Sequence, residues 1–281
     1  MTTQPGIPMT ELHSFSTFEE RRDDEQLRDC WVQSRASLEE RASRDVELYC
    51  GLCRQPATYR FGGKAFDPRE QLCCGSCGLN ARIRAGVLLL DDALPHAADL
   101  YMTEQATPAY AWMQRRHPAL RGSEFEHDPA ARERLAAHLA SLGGNGPVKY
   151  EDVTALSFDS AMLDAIVSFD VLEHVPDYRA ALREFARVLR QGGVLIATFP
   201  FTDHEQTIVR ARMQGNGEIE HLLEPEYHGD PISGGVLCFY HFGWDVLDAV
   251  REAGFSDARM VMPWAPGAGL EYGLWTLVAR R

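Results

Sequence analysis

The chain has 281 residues and a formal net charge of −13, with 45% hydrophobic and 25% charged residues. These fractions are typical of a globular protein and exclude a disordered one, and the length allows one large domain with a small appendage. No stretch approaches the ~20 apolar residues of a membrane span, and the polar, acidic N-terminus is not a signal peptide. We therefore expect a cytoplasmic protein without a membrane partner. The acidic balance argues against a generic nucleic-acid binder, because phosphate contact needs a basic surface.

Composition divides the chain into three predicted parts. Residues 1–46 form an N-terminal helical segment, in which residues 1 to about 15 are expected to be flexible and residues 17–46 to form a helix pair. Residues 47–90 form a second segment, which is distinguished by its cysteines. Residues 97–281 form an α/β domain.

Five of the seven cysteines fall in the second segment. Cys50-x-x-Cys53 and Cys74-x-x-Cys77 are separated by twenty residues, the spacing of a four-thiolate zinc site. We predict a structural Zn²⁺, since four thiolates leave no open position for a substrate, and Cys73 is then the spare thiol. The alternative is a set of ordinary buried cysteines or disulfides, and the lack of a secretory signal weighs against disulfides.

The segment between the two cysteine pairs reads RQPATYRFGGKAFDPREQL. It is predicted to be strand-like with a turn at Gly62-Gly63, as in a zinc ribbon. Gly75 and Gly78 loosen the turn of the second pair. The second segment is therefore predicted to be zinc-ribbon-like.

The α/β domain begins with short predicted strands and one clear helix start. Thr107 and Pro108 are the residue types of an N-cap and a first helical position. The predicted strands are Asp99–Met102, Leu120–Phe125 and Val148–Tyr150.

The stretch from Phe158 to Phe201 reads FDSAMLDAIVSFDVLEHVPDYRAALREFARVLRQGGVLIATFPF. Apolar runs with β-branched residues predict strands covered on both faces, and the spacing of apolar residues between them predicts an amphipathic helix. Such a βαβ unit indicates a parallel sheet, whose ligands lie at the carboxyl ends of its strands. The predicted elements are the strand Leu163–Ser168, the helix Asp177–Leu189, its end at Gly192-Gly193, and the strand Val194–Phe199.

The chain is predicted to end in a helix, Trp244–Ala253, and two strands, Ser256–Met262 and Leu274–Ala279. With the stretch from Phe158, this ending resembles the class I S-adenosylmethionine-dependent methyltransferases, over about 185 residues from Ala97 onward. The resemblance implies an α/β, Rossmann-like, doubly wound and mostly parallel sheet with an antiparallel last strand. The small helical and zinc-ribbon segment then precedes it.

The resemblance also implies which residues bind S-adenosylmethionine. Glu124 would accept hydrogen bonds from both ribose hydroxyls and Asp152 from the adenine amine, since a carboxylate is a pure acceptor. Phe169 and Asp170 end the next strand and would flank the cofactor. His174 matches a histidine common at this position, and its alternative role is to cap a helix or to satisfy the core.

One loop departs from the family pattern. The turn after the first strand is usually glycine-rich, whereas residues 103–108 contain no glycine. One interpretation is a loop of different shape, in which Thr103 and Glu104 contact the methionine amino group. The other is a degraded cofactor site, which would make the chain a non-catalytic binding module on the same fold.

Acceptor groups are expected in residues 202–242, which are rich in histidine and aromatic residues. We predict O-methylation of a small-molecule or glycan-type acceptor, with His228 and His241 as candidate bases and Asp230 available to orient an imidazole. The alternative for each histidine is a structural role. A Mg²⁺-dependent mechanism with Asp203, His204 and Asp230 is a further option.

A macromolecular acceptor is the remaining alternative. An RNA or protein methyltransferase would use the zinc ribbon for recognition, and basic residues in that segment such as Arg60 and Arg69 would suit a local phosphate contact. The acidic total and the lack of interleaved basic and aromatic residues weigh against RNA.

Overall fold

A computed structural model describes residues 7–22, 24–229 and 235–281. The chain folds as two compact units, each described separately below. The first contains Met1–Asp92 and Arg259–Thr276, and the second contains Ala93–Ala258 and Leu277–Arg281.

The first part of the chain forms helices and a β-hairpin. Its elements are β1 (Met9–Leu12), α1 (Phe15–Arg22), α2 (Glu25–Arg41), β2 (Asp45–Cys50), β3 (Gln55–Arg60), α3 (Pro68–Gln71) and α4 (Ala81–Ala93). Helices α1 and α2 are the predicted helix pair, and the Asp24 carboxylate caps α2 by accepting from the backbone N of Gln26 at 3.2 Å. The expectation of a flexible start is wrong for β1, because its backbone pairs antiparallel with Met260–Pro263.

The strands of the hairpin lie on either side of the first cysteine pair. β2 and β3 are antiparallel, and Cys50 is paired with Gln55 across the turn. The predicted turn at Gly62-Gly63 is therefore wrong: the chain turns within the Cys50–Cys53 motif and continues after β3 into a loop and α3. The physical reason is that the tight turn needed to aim two sulfurs at one point also reverses the chain.

Arg84 ties two distant parts of the first unit together. Its side chain is 1% exposed and donates hydrogen bonds to the carbonyl oxygens of Ala268 at 2.8 Å and Gly269 at 2.7 Å. The guanidinium lies 4.8 Å from the centre of the Tyr59 ring, which adds a cation–π contact. Contacts of this kind explain why residues 259–276 belong with the N-terminal unit, although the sequence suggested that they continue the α/β domain.

The rest of the chain alternates strands and helices before a region of short strands. Its elements are β4 (Leu100–Met102), α5 (Pro108–Arg116), β5 (Arg121–Gly122), α6 (Pro129–Ser141), β6 (Leu163–Phe169), α7 (Tyr178–Val188), β7 (Leu189–Thr198), β8 (Ile208–Val209), β9 (Ala211–Met213), β10 (Ile219–His221), β11 (Tyr227–His228), β12 (Val236–Leu237), β13 (Tyr240–His241), α8 (Val246–Glu252), β14 (Asp257–Pro263) and β15 (Thr276–Arg280).

The second unit is built on a mostly parallel sheet in the order β15-β7-β6-β4-β5. β4 pairs parallel with both β5 and β6, β6 pairs parallel with β7, and β15 pairs antiparallel with β7. The predicted fold class, with its antiparallel last strand, is confirmed. Because β4 has β5 on one side and β6 on the other, the strand order reverses there, which places the ligand crevice at the carboxyl ends of β4 and β6.

The predicted βαβ unit forms with one change at the helix end. Asp177 caps α7 by accepting from the backbone N of Ala180 at 2.9 Å, and Leu182 and Phe185 are fully buried on the inner face. α7 ends at Val188 and β7 starts at once, so the prediction that Gly192-Gly193 end the helix is wrong. The glycines lie inside β7, where Gly192 has φ +80° and the pairing with β6 shifts register.

Two predicted strands are shorter than expected. β5 contains only Arg121–Gly122 of the predicted Leu120–Phe125, and the third predicted strand is reduced to one parallel bridge between Glu124 and Tyr150. Thr107 does cap α5, since its Oγ1 accepts from the backbone N of Tyr110 at 3.1 Å. Among the described residues, no helix is long and apolar enough to cross a membrane.

Candidate active site and cysteine cluster

The crevice at the carboxyl ends of β4 and β6 contains two of the predicted cofactor residues. Thr103 Oγ1 lies 3.1 Å from Ser168 Oγ and 2.9 Å from Glu104 Oε2. The backbone N of Phe169 donates to Glu104 Oε2 at 3.5 Å. The Glu104 carboxylate is thus held between the two strand ends, where an anionic group can face a cationic ligand.

Glu124 holds the glycine-free loop from the side of β5. Its Oε1 accepts hydrogen bonds from the backbone N of Gln105 at 2.8 Å and of Ala106 at 2.6 Å. The Gln105 amide extends the connection, since its Nε2 donates to the carbonyl oxygen of Pro147 and its Oε1 accepts from the backbone N of Lys149. Side chains therefore fix the shape of this loop where relatives use glycines. Gln105, which is buried, was not predicted from the sequence.

The two remaining acidic candidates also bind locally. Asp152 Oδ1 accepts from the backbone N and Oγ1 of Thr154 at 2.8 and 2.7 Å. Asp170 follows β6 with φ +54°, and its Oδ1 accepts from Thr198 Oγ1 at 2.9 Å. The left-handed backbone at Asp170 turns the chain sharply away from the sheet, which leaves its carboxylate at the strand end.

The two candidate bases meet at one carboxylate. His228 in β11 and His241 in β13 each place Nε2 at 3.1 Å from Glu226 Oε1. Arg210 lies 3.1 Å from the other oxygen, Oε2. Burial opposes ionisation of Glu226, but the hydrogen bonds from the two imidazoles lower its carboxyl pKa overall. Asp230, predicted to orient an imidazole, lies outside the described residues, and Glu226 has that position in the structure.

Glu173 and His174 lie on the other side of His228. The Glu173 side chain is fully buried, and within the described part of the chain neither carboxylate oxygen has a hydrogen-bond partner. Its Oε1 is 3.6 Å from His228 Nδ1 and 3.7 Å from His174 Nε2. The rings of His174 and His228 lie 4.9 Å apart between centroids. His174, expected beside the cofactor, is thus grouped with the candidate bases, and Glu173 was not predicted as a site residue.

Burial and charge shift the protonation of this cluster. Burial raises the pKa of the Glu173 carboxyl, while the His228 imidazole opposes that shift. Hydrogen bonding to the Cys238 and Glu173 side chains raises the pKa of His228 to about 11. Asp203 and His204, the further option for a metal, are exposed and belong to none of the close groups of metal-ligating side chains found among the described residues.

The four predicted zinc ligands converge in the first unit. The sulfurs of Cys50, Cys53, Cys74 and Cys77 all lie within 4.8 Å of one another. A hydrogen bond from the Cys77 side chain lowers the pKa of the Cys50 thiol to about 4. Cys73 is exposed and lies outside the group, as the spacing predicted.

The geometry of this cluster fits a tetrahedral metal ion. Zn–S bonds of about 2.3 Å place neighbouring sulfurs about 3.8 Å apart, and Cys53 Sγ is 3.9 Å from Cys74 Sγ. The second turn depends on glycine, since a Cβ at Gly75 would lie 2.8 Å from the carbonyl oxygen of Thr58 and Gly78 has φ +75°. The buried Tyr59 hydroxyl, which has no hydrogen-bond partner in the described structure, can donate to a thiolate. All seven cysteines are free thiols in the structure.

A separate cleft of about 440 Å³ lies at the opposite edge of the sheet. It is lined by residues near the amino ends of β6 and β7, among them Ser160, Arg187 and Gln191. Because ligands of parallel sheets bind at the carboxyl ends of the strands, this cleft is not the candidate active site.

The sequence of the second unit is similar to known methyltransferases. Residues 109–197, which span α5 to β7, match the family described as "Methyltransferase domain". This match supports an S-adenosylmethionine-dependent methyltransferase domain of class I.

Curated relatives agree with this match over part of the chain. A protein of Mycolicibacterium smegmatis described as a "Probable S-adenosylmethionine-dependent methyltransferase" is 27% identical over 144 residues, 47% of this chain and 55% of that protein. A protein of Mycobacterium tuberculosis with the same description is 35% identical over 68 residues, 24% of this chain and 25% of that protein. The chain thus spans about half, or less, of the length of the curated relatives it matches.

Solved structures with a similar fold include two methyltransferases. An S-adenosylmethionine-dependent methyltransferase from Mesorhizobium loti has a TM-score of 0.49 and 15% identity, covering 73% of this chain and 100% of that chain. CalS10, an amino pentose methyltransferase from Micromonospora echinaspora, has a TM-score of 0.48 and 20% identity, covering 73% of this chain and 92% of that chain.

Proposed function

We propose that the protein is an S-adenosylmethionine-dependent O-methyltransferase that acts on a small-molecule or glycan-type hydroxyl. The observation that carries the proposal is the pair of imidazoles, His228 and His241, held on Glu226 in the region that follows the parallel sheet. A histidine oriented by a carboxylate is the usual arrangement of a general base.

The cofactor would lie across the carboxyl ends of β5, β4 and β6. Glu124 would accept from the ribose hydroxyls and Asp152 from the adenine amine. Thr103 and Glu104 would face the methionine ammonium, while Phe169 and Asp170 would flank the cofactor. This assignment is supported by the reversal of strand order at β4 and by the three acidic side chains at the strand ends.

The reaction would be an in-line displacement at the sulfonium methyl group. The acceptor oxygen forms a bond to the methyl carbon while the carbon–sulfur bond breaks, and the electron pair of that bond stays on sulfur, which becomes a neutral thioether. The acceptor proton passes to an imidazole of the His228–His241 pair. The protein mainly positions the two reactants, with the Glu226 carboxylate stabilising the imidazolium that forms.

We also propose that Cys50, Cys53, Cys74 and Cys77 bind one structural Zn²⁺. The proposal is supported by the sulfur spacing and by the glycine-dependent second turn. The ion would crosslink the two halves of a small segment that has little core of its own, and four thiolates would leave it no place in the reaction.

The experiment uses the full chain with methyl-labelled S-adenosylmethionine and a panel of sugar, phenolic and amine acceptors. We expect label transfer to a hydroxyl acceptor, with a turnover number that falls by at least about 10²-fold in His241→Gln and unchanged cofactor affinity. Exposed His221→Gln is the matched control. Transfer to amines alone would overturn the O-methylation proposal, and a lack of S-adenosylhomocysteine binding in calorimetry would favour the non-catalytic module instead.

A further inference from the structure

Glu173 is a buried carboxylate in a setting that gives it no donor. It is fully buried, neither oxygen has a hydrogen-bond partner in the described part of the chain, and the two imidazole nitrogens nearest to Oε1 lie beyond hydrogen-bond distance. Burying a carboxylate in this way costs several kcal/mol unless a positive charge compensates for it.

The outer hydrogen bonds of the two imidazoles define which nitrogens face Glu173. His174 Nδ1 lies 2.9 Å from the carbonyl oxygen of Leu237, which can only accept, so this nitrogen carries the proton. His228 Nε2 likewise donates to the Glu226 carboxylate. In the neutral rings, the lone pairs of His174 Nε2 and His228 Nδ1 therefore both point toward Glu173.

Three electron-pair donors thus converge on one point. One ligand atom from each of the three side chains lies within 4.8 Å of the others. We propose that Glu173, His174 and His228 bind a divalent transition-metal ion. Two imidazoles and one carboxylate suit Zn²⁺, Fe²⁺, Co²⁺ or Mn²⁺, whereas Mg²⁺ and Ca²⁺ prefer oxygen ligands.

The surrounding contacts match those of a metal site. Ligating histidines typically donate their other N–H to a carbonyl or a carboxylate, which orients the ring, and Leu237 and Glu226 serve as those acceptors here. Cys238 also lies beside His228, but its thiol donates to the carbonyl oxygen of Tyr240 at 3.3 Å. We therefore assign three protein ligands to this ion, in contrast to the four of the cysteine cluster.

Three protein ligands leave coordination positions open. An acceptor hydroxyl bound there would have a lowered pKa and would be held at a defined place beside the cofactor crevice. This role rests on the proposed O-methyltransferase function, while metal binding itself does not. With both nitrogens of His228 in use, His241 is the imidazole that takes the acceptor proton.

The test counts metal ions in the full chain. The purified protein is stripped with a chelator and titrated with Co²⁺, whose thiolate complexes show an intense charge-transfer band that imidazole–carboxylate complexes lack. We expect wild type to bind one more Co²⁺ than Glu173→Gln, and the lost ion to be the one without the thiolate band. His228→Gln should give the same loss, which keeps the test informative if Glu173→Gln does not fold. Exposed His221→Gln should keep the wild-type count.

A positioning variant provides a graded readout. Glu226→Gln keeps an acceptor for His228 without its charge and should weaken Co²⁺ binding at this site by about 10- to 100-fold. Equal Co²⁺ counts in wild type, Glu173→Gln and His228→Gln would overturn the proposal and show that protons alone neutralise Glu173. S-adenosylhomocysteine binding measured on the same samples separates the two proposals, because cofactor binding without the second ion refutes only the metal site.

Discussion

Replacing Glu124 by alanine tests the cofactor site most directly. The side chain accepts two backbone hydrogen bonds from the loop at Gln105 and Ala106, at 2.8 and 2.6 Å, and would bind the ribose hydroxyls. Alanine therefore removes an anchor of the loop and a contact with the cofactor at the same time.

The expected sizes of the two effects differ. Leaving the loop amides without their acceptor should lower the free energy of unfolding by about 1–3 kcal/mol, which a domain stabilised by roughly 5–15 kcal/mol survives. Two lost hydrogen bonds from ribose hydroxyls to a carboxylate cost about 1.5–3 kcal/mol each, so the Kd for S-adenosylhomocysteine should rise at least about 100-fold.

Calorimetry measures the affinity and urea unfolding measures the stability. Glu133→Ala, an exposed change on α6, is the matched control and should alter neither. Glu124→Gln keeps an oxygen for the loop amides, so it should retain most of the stability while still losing affinity. An unchanged Kd in Glu124→Ala would show that the ribose does not bind at the end of β5, and would refute the assignment of this strand.

Three further predictions concern the first unit. Metal analysis should find one zinc ion bound to thiolates per chain, lost in the Cys74→Ser/Cys77→Ser variant, and a thiolate-bound count of zero in wild type would refute the cluster. Arg84→Met should lower the free energy of unfolding by about 3–5 kcal/mol, because two buried carbonyl oxygens lose a charged donor, and a loss below about 1 kcal/mol would contradict this account. Gly75→Ala should weaken zinc binding and cost about 1–3 kcal/mol, since its Cβ meets a carbonyl oxygen, whereas Gly215→Ala, which meets nothing within 4 Å, should be neutral.

The parts of the fold that were predicted correctly have strong local signals. The βαβ unit is defined by two apolar runs and a helical repeat, and its boundaries in the structure differ by only one or two residues except at Gly192-Gly193. Those glycines fit equally well a helix end and a bulge in the next strand, because both need a backbone that other residues adopt poorly. Sequence pattern alone does not separate the two.

Short edge elements were harder to predict. Strand β1 has four residues and is held by pairing with a segment near the end of the chain, a contact that no local pattern reports. The turn at Gly62-Gly63 was wrong for a related reason: the cysteine motif itself reverses the chain, so the glycines were free to serve a loop.

Residue spacing by itself determined two things about this protein, the parallel βαβ core and the grouping of the four cysteines. Both follow from periods or separations of a few residues, which backbone geometry translates directly into structure. Only the tertiary structure decided that Glu226 joins His228 to His241 and that Glu173, His174 and His228 converge. Those residues lie on different elements, and their meeting depends on how the irregular chain after β7 folds back, which side-chain periodicity does not encode.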